Sequence, residues 1–343
     1  RRHVAENVPL DLVGEGMGIT YAHGYVSPTQ LYNELNNAFA CVLTLDIRGI
    51  STEESHIDFS VLIDIRNSAS KIAEQISKAV DDQKLIDVHL VLVSDGLRKL
   101  YKLPHIIDKA IYIHNKQATQ KRRITKKSIL IGGFQSFLNK WPFMCSKNSK
   151  FEHGRIYPNC VFESQGQYGK PLRVFISGYG MACDPVIYDP LCINSVVNVT
   201  PEVPFVDLKD ADKDKALRKF RIAIIDEPEQ GGKLVEMLDE AFDFINQGLH
   251  LDVKKFKGHQ KTTVGDETRG KTMRATKNVP LGVLVHCKHG QSRSVAVVTA
   301  WMMHMWNMNY QEASQAIKTA RPKARTKFKE HVEGWVSSKQ RVK

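Results

Sequence analysis

The sequence predicts an α/β protein of two domains, the first built on a doubly wound parallel sheet. Short apolar runs alternate with helical patterns along the chain, as such a sheet requires. With 343 residues the chain is long enough for two ordinary cores. A hydrophilic stretch from Lys147 to Lys170, rich in Ser, Gly, Asn and Gln, interrupts the alternation. We therefore expect a first domain over residues 25–146, a linker over 147–170 and a second domain over 171–340.

The first domain begins with a helix and then alternates between strands and helices. Ser27 and Pro28 predict the start of that helix, because Ser is a good cap and Pro is tolerated at the first helical position. The continuous apolar run Cys41–Leu45 predicts a buried strand. Further strands are predicted at Val88–Val93 and Ser128–Ile131, and helices at Lys71–Val80, Leu97–Ala110 and Phe134–Lys140.

The second domain repeats this alternation around a long interruption. The segment 253–280 is basic, contains three glycines and lacks an apolar period, so we expect a flexible insertion there. Strands are predicted at Arg173–Ile176, Ser195–Val199, Phe220–Ile225 and Leu281–Val285, and helices at Lys233–Asn246, Arg293–Met308, Gln311–Ala320 and Lys327–Ser338.

The bulk composition is typical of a globular protein that functions in water. Hydrophobic residues make up 42% of the chain, and no apolar run reaches the roughly 18 residues of a membrane span. The six cysteines show neither a CxxC pattern nor Cys/His ligand spacing. We therefore expect reduced thiols in the cytoplasm or nucleus, with no disulfide framework, no metal site and no cofactor.

The net charge of +12 is concentrated in three segments, at residues 121–127, 254–277 and 318–343. A basic surface steers phosphorylated or acidic partners towards a protein. It is also compatible with nucleic acid or with lipids of the inner leaflet. We interpret the three segments mainly as solvated charge runs.

The segment His286–Ser294 carries the strongest functional signal. A predicted strand ends just before it, and the helix-prone run Val295–Met303 follows. In such a turn, successive backbone N–H groups and the positive end of the helix converge on one point. Gly290 provides conformational freedom, and Arg293 provides a planar fork that can hold two phosphoryl oxygens. The pattern predicts a phosphate-binding loop.

Cys287 lies at the start of this loop, where the same electrostatic field favours a thiolate. Such settings lower a thiol pKa to roughly 3.5–7.5. The alternative is a buried structural cysteine near a surface arginine, but it leaves the surrounding His286, Gly290 and Ser294 without explanation. We therefore expect Cys287 to be a nucleophile.

The spacing Cys-x5-Arg resembles the signature loop of the cysteine-dependent protein tyrosine and dual-specificity phosphatases. This resemblance implies that Cys287 attacks phosphorus to form a phosphocysteine and that Ser294 eases departure of the thiolate. It also implies that His286 orients the loop from beneath. The expected substrate-binding residues are Lys288, His289, Gly290, Gln291, Ser292 and Arg293.

A general acid is expected on a loop ahead of the cysteine strand. Asp226 follows a predicted strand and precedes the helix Lys233–Asn246, which matches the place where dual-specificity phosphatases carry this acid. The resemblance implies that it acts first as an acid and then as a base. Glu227 and Glu229 are neighbouring carboxylates that the sequence leaves open as alternatives.

Two elements of the first domain resemble the rhodanese-like family. Leu45–Arg48 with Glu54–Ile57 is similar to one family element, and Leu130–Phe137 is similar to its closing element. An active sulfurtransferase would carry a cysteine after the strand Val88–Val93. This chain has Ser94–Gly96 at that place, so the resemblance implies a catalytically silent domain.

The two modules in this order resemble the MAP kinase phosphatases. The tract Ala182–Pro185 brings the chain closest to the STYX-like branch, whose members typically lack the nucleophile that this chain retains. We expect a protein phosphatase that hydrolyses phosphotyrosine and phosphoserine/threonine esters, with phosphoproteins as partners, MAP kinases or other signalling proteins among them. The kinase-docking arginine cluster of that group is not matched, since Leu62–Lys71 has only Arg66 and Lys71.

Two other functions remain open at this point. One is a STYX-like pseudophosphatase scaffold that binds phosphoproteins with little turnover. The other is an RNA 5′-phosphatase or phosphoinositide phosphatase, which the net charge and Lys288 favour. The rhodanese-like module argues against nucleic acid and lipid as partners.

Overall fold

The computed structural model describes residues 23–37, 41–48, 55–58, 60–95, 104–145, 156–165, 171–208, 217–251 and 281–341. The chain divides into two compact units, the first from residues 1–26, 41–51 and 59–133 and the second from 27–40, 52–58 and 134–343. Helices α1 (Pro28–Leu35) and α4 (Gly133–Lys140) both pack mainly within the second unit. The units therefore interleave along the sequence, which differs from the predicted single boundary near residue 146.

The first unit contains a five-stranded sheet in which all neighbouring strands run parallel. Its order is β1-β5-β4-β2-β3, so β4 is the middle strand. Buried isoleucine, leucine, valine and alanine side chains of the sheet and of two helices form the core. The elements are β1 (His23–Val26), β2 (Val42–Asp46), β3 (Val61–Leu62), α2 (Ala69–Asp82), β4 (Val88–Val93), α3 (Pro104–Gln117) and β5 (Ile124–Leu130).

Two predicted elements of this unit have wrong limits. The strand predicted at Ser128–Ile131 begins at Ile124. Its first half contains two lysines, which hide the apolar pattern of the strand in the sequence although a lysine can be buried there. Lys127 is buried and its ammonium pairs with Asp108. The helix predicted to end at Ala110 continues to Gln117, and residues 97–103 of that prediction lie outside the described residues.

The second unit contains a five-stranded sheet of order β6-β7-β10-β8-β9, with β10 as its middle strand. β6 is antiparallel to β7, and the other pairs are parallel. The α/β class and the presence of two sheets confirm the predicted fold class. The elements are β6 (Asn159–Gln165), β7 (Pro171–Ser177), α5 (Tyr179–Ala182), β8 (Ile193–Asn198), β9 (Arg218–Arg221), α6 (Gly231–Gly248), β10 (Leu281–His286), α7 (Arg293–Trp306), α8 (Tyr310–Ala320) and α9 (Lys329–Arg341).

Two predictions for this part of the chain are wrong. The predicted linker 147–170 contains β6, whose polar residues pair with β7 at the sheet edge. The strand predicted at Phe220–Ile225 ends at Arg221. Ile222 N still donates to Asn198 O of β8 at 2.9 Å, and Ile222 and Ile224 are buried while Ala223 and Ile225 are exposed, so the alternation of a strand continues beyond the end of β9. The predicted insertion at 253–280 lies outside the described residues.

Two further predictions concern the chain as a whole. Among the helices that the structure describes, none is both long and apolar enough to cross a bilayer. All six cysteines lie in described segments, and none of them forms a disulfide.

Candidate active site

The loop that the sequence singles out follows the middle strand of the second sheet. β10 ends at His286, and α7 begins at Arg293. The flanking strands β7 and β8 run parallel to β10 and end beside it. Ligands of such sheets bind outside the carboxyl ends of the strands, and the N-terminus of a helix favours an anion there. The fold therefore places the loop where an anion is expected to bind.

The carbonyl groups of this loop are held by donors from outside it. Because C=O and N–H point in opposite directions across a trans peptide, outward carbonyls turn the N–H groups towards the hollow of the loop. The bonds are Tyr179 N to Lys288 O (3.1 Å), Arg321 Nη2 to His289 O (3.0 Å), Arg321 Nε to Gly290 O (2.6 Å) and Arg325 N to Gln291 O (2.8 Å).

Gly290 is required by the geometry of the loop. Its φ is +65°, in the left-handed region that favours glycine. A Cβ atom at this position would lie 2.4 Å from the backbone of Ser177 in β7. The close approach to β7 and the left-handed turn both depend on the missing side chain.

Cys287 is buried at the base of the loop. Its Sγ accepts hydrogen bonds from Gly290 N at 3.2 Å and from Ser294 Oγ at 3.3 Å. Burial alone would raise the pKa of this thiol. The bonds from Ser294 and Gly290, together with the charge of Arg293, outweigh burial and lower the pKa below its ordinary value. The geometry thus favours the nucleophilic thiolate.

Arg293 is the first residue of α7, and its side chain is only 4% exposed. Its Nη1 donates to Ile224 O at 3.0 Å and lies 3.7 Å from Glu202 Oε1. Its buried Nε has no hydrogen-bond partner among the described residues. A buried donor without a partner is costly, and an anion in the loop would provide the missing acceptor.

Asp226 lies on the loop between β9 and α6. Arg293 holds this loop on one side through its bond to Ile224 O. Lys327 holds it on the other side, where its Nζ donates to Asp226 O at 2.9 Å. Asp226 is half-buried, and its Oδ1 has no partner among the described residues. Glu227 and Glu229 are exposed. Its Oδ2 lies 3.8 Å from Lys327 Nζ, and of these three carboxylates Asp226 is the least exposed.

The remaining predicted site residues surround the loop. His286 is buried, its main-chain oxygen accepts from Val199 N at 2.8 Å, and burial lowers its pKa to about 4, so the ring is neutral. Its orienting role stays a prediction. The side chains of Lys288 and His289 are exposed at the rim. Ser292 is buried, and its Oγ accepts from Lys327 N at 3.3 Å.

One set of positioning residues was missed from the sequence. The segment Arg321–Lys327, here called the bracket segment, contacts two loops. One is the loop His286–Ser294, here called the phosphate loop, and the other is the loop between β9 and α6 that contains Asp226. Interpreting the tail 318–343 as solvated charge is wrong for these residues. Arg321 follows α8 and uses three donor atoms within the protein. No local pattern marks it, because its partners lie about 30 residues or more away along the chain.

Part of the chain matches a known protein family. Residues 271–335, which contain the loop and the bracket segment, match the family model of the dual specificity phosphatase catalytic domain. This stretch carries a dual-specificity phosphatase signature. A 41-residue stretch is 51% identical to dual specificity protein phosphatase 22-B of Danio rerio; it makes up 12% of this chain and 22% of that protein. The match therefore spans less than a quarter of that dual-specificity phosphatase.

Solved structures of other proteins are also similar to parts of the chain. A point variant of human DUSP28 matches with a TM-score of 0.40 and 18% identity, over 55% of this chain and 99% of that chain. A mouse putative dual specificity phosphatase complexed with zinc tungstate matches with a TM-score of 0.39 and 20% identity, over 57% and 96%. The human tyrosine phosphatase-like serine/threonine/tyrosine-interacting protein gives 0.35 and 16%, over 49% and 91%.

Proposed function

We propose that the protein is a cysteine-dependent dual-specificity protein phosphatase. The observation that carries this proposal is the setting of Cys287, whose thiol pKa is lowered by the bonds of the loop and by Arg293. A buried structural cysteine has a raised pKa, as Cys160 illustrates with a value of about 12. A thiolate at the centre of converging N–H groups is the arrangement that attack on a phosphate ester needs.

In the first step, the Cys287 thiolate attacks phosphorus. An S–P bond forms while the P–O bond to the leaving group breaks. The loop N–H groups and the Arg293 guanidinium bind the equatorial oxygens, whose charge they neutralise. Asp226 gives its proton to the departing oxygen, so the alcohol or phenol leaves in neutral form.

In the second step, water attacks the phosphocysteine. Asp226, now ionised, accepts a proton from the water while the new P–O bond forms and the S–P bond breaks. The hydroxyl of Ser294, already 3.3 Å from the sulfur, stabilises the departing thiolate. Inorganic phosphate is released, and the enzyme returns to its initial protonation state.

The test is a substrate panel measured on the full chain and on the Cys287→Ser variant. The panel contains peptides with phosphotyrosine, phosphothreonine or both, a 5′-triphosphorylated RNA and a phosphoinositide vesicle. Hydrolysis of both classes of phosphopeptide by the wild type, and of none by the variant, supports the proposal. Faster hydrolysis of the RNA or of the phosphoinositide than of the phosphopeptides would mean that the substrate is a nucleic acid or a lipid and not a phosphoprotein. Binding of phosphopeptides without turnover would support the scaffold function instead.

The first unit and the cellular setting belong to the same proposal. We take the first unit to be a catalytically silent rhodanese-like domain, since Ser94 and Asp95 follow its middle strand. The proposed partners are phosphoproteins of signalling pathways, including MAP kinases, in the cytoplasm or nucleus. An assay for sulfur transfer from thiosulfate to cyanide should give no activity above that of a denatured sample.

A further inference from the structure

Helix α1 supports the backbone that leads into β6. Asn33 makes two bonds to Cys160, donating from Nδ2 to the oxygen at 2.7 Å and accepting at Oδ1 from the nitrogen at 2.8 Å. Asn36 accepts at Oδ1 from Tyr157 N at 3.0 Å. β6 is an edge strand, so these asparagines provide partners that no neighbouring strand supplies. The course of the chain from 157 to 160 is thus fixed by α1.

Buried aromatic contacts fix α1 itself. Tyr32 stacks on Trp141 with ring centroids 3.8 Å apart, and its hydroxyl donates to Pro158 O at 2.7 Å. The guanidinium carbon of Arg173 lies 3.9 Å from the centroid of the Trp141 ring. The side chains of Tyr32, Trp141 and Arg173 are all buried. A displacement of α1 would therefore disturb a packed core, and the helix is a rigid support.

Asn159 connects this support to the phosphate loop. It lies within the stretch that α1 holds, is buried, and accepts at Oδ1 from Arg321 Nη1 at 2.6 Å. The other donors of Arg321 bind the oxygens of Gly290 and His289 in the loop. One guanidinium thus joins β6 to the two peptide groups at the tip of the loop. The fork of an arginine is suited to this, because its five donors have a fixed geometry.

We infer that α1 positions the phosphate loop, acting from Asn33 through Asn159 and Arg321. Loosening the entry to β6 removes the fixed partner of Arg321, and Arg321 then holds the two loop carbonyls less firmly. The N–H groups of the loop turn away from the hollow, so phosphate binds more weakly and the Cys287 thiolate loses stabilisation. The inference rests on the proposed function, since it assigns α1 a part in the same site.

The test compares Asn33→Ala with Asn115→Ala in the full chain. Asn115 is a matched control, because it makes the same pair of bonds with the backbone of Ile124 in the first unit, at 3.0 and 2.8 Å. Both variants are studied at a temperature where circular dichroism shows them folded. Asn33→Ala should weaken binding of inorganic phosphate by about twofold to thirtyfold. It should also shift the pH profile of Cys287 alkylation to higher pH, while Asn115→Ala changes neither.

A double-mutant cycle tests the route through Asn159. Asn159→Ala alone should weaken phosphate binding and shift the alkylation profile as Asn33→Ala does. If the two residues act in series, the double variant should resemble Asn159→Ala, because the connection is already broken. Additive losses would overturn the route. A loss of thermal stability in Asn33→Ala with unchanged phosphate affinity and an unchanged alkylation profile would overturn the inference.

Failure of the proposed function gives a different result. Phosphate binding and alkylation need no turnover, so both remain measurable in a protein that hydrolyses no ester. If the wild type alkylates at Cys287 with the pH profile of an ordinary thiol, the proposed function is wrong. If Cys287 of the wild type is alkylated at lower pH than an ordinary thiol and Asn33→Ala does not change this pH dependence, only the role of α1 is wrong.

Discussion

β4 of the first unit and β10 of the second are both the middle strand of a five-stranded sheet, with parallel neighbours on each side. In both units the chain leaves the sheet at the end of a parallel strand, where ligands of α/β proteins bind. Ser94 and Asp95 follow β4, whereas Cys287 and a loop ending at Arg293 follow β10. The two units thus offer the same topological position with different chemistry.

The difference shows what the fold provides and what the residues add. A middle strand supplies a rigid base and an opening at its carboxyl end, but the reaction depends on the side chains placed there. In the second unit the thiol is held by Gly290 N and Ser294 Oγ, and the arginine is held by Ile224 O. Variants that remove single side chains near the ends of the two middle strands test whether only the second unit has the reacting groups.

The largest effect is expected from the two residues that follow the middle strands. Cys287→Ser should lower turnover of a phosphopeptide by at least about 10⁴-fold, because a hydroxyl is a far weaker nucleophile than a thiolate at neutral pH. Ser94→Ala should leave kcat and KM within about twofold of the wild type, since its unit lacks the reacting groups. Steady-state kinetics on both variants provide the measurement. Loss of activity in Ser94→Ala would show that the first unit takes part in the reaction.

The next effect concerns the acid. Asp226→Asn should lower kcat by about 10²–10⁴-fold with a phosphopeptide, whose leaving group needs a proton. The loss should be much smaller with an aryl phosphate that has an acidic phenol, since that leaving group departs unprotonated. Glu227→Gln is the matched control, because the residue is adjacent and exposed. An equal loss of kcat in Glu227→Gln would contradict the assignment of Asp226 as the acid and would leave Glu227 and Glu229 as candidates.

His286 should make the second unit sensitive to acid. Burial lowers its pKa from 6.5 to about 4, so the unfolded chain binds a proton in this window and the folded chain does not. Stability is therefore present above pH 6.5 and is lost as the pH falls towards 4, by up to about 3 kcal/mol. Four tryptophans, all assigned to the second unit, report its unfolding by fluorescence. In His286→Phe this part of the pH dependence should disappear.

The smallest effect is expected from Ser294. Ser294→Ala removes a hydrogen bond to Sγ of Cys287, so the pKa of the thiol should rise and alkylation at neutral pH should slow several-fold. Mass spectrometry of the alkylated peptides separates Cys287 from the other cysteines. Cys160 is an internal control, since burial raises its pKa to about 12 and it should stay unreactive. An unchanged rate at Cys287 would mean that Ser294 does not stabilise the thiolate.

The geometry of the loop after β10 could be predicted from the sequence because its signal is local. The end of the strand at His286, the glycine with positive φ and the helix start at Arg293 all lie within His286–Arg293, and short-range chemistry requires each of them. The choice of Asp226 as the acid stays a prediction, because it depends on the resemblance and on a strand expected to end at Ile225, whereas β9 ends at Arg221. The structure adds that Asp226 is half-buried and that its main-chain oxygen accepts from Lys327, whereas Glu227 is exposed.

The supports of the loop could not be predicted in the same way. Arg321 binds the loop from about 30 residues away, and Asn33 binds Cys160 across 127 residues. Arg321 lies in a basic run that is typical of a solvated tail, and no sequence pattern marks Asn33. The partners of both are mostly backbone atoms, which leave no complementary residue in the sequence. Only the tertiary arrangement reveals that these polar side chains satisfy buried peptide groups.

The central claim is that the second unit, and not the first, forms a covalent phosphoenzyme. Its most direct test is rapid acid quenching of the wild type during turnover of a ³²P-labelled phosphopeptide, followed by peptide mapping. We predict a transient label on the peptide that contains Cys287, formed and consumed at rates that account for kcat and absent in Cys287→Ser. A label on any other residue, or steady turnover without a labelled cysteine, would contradict the account.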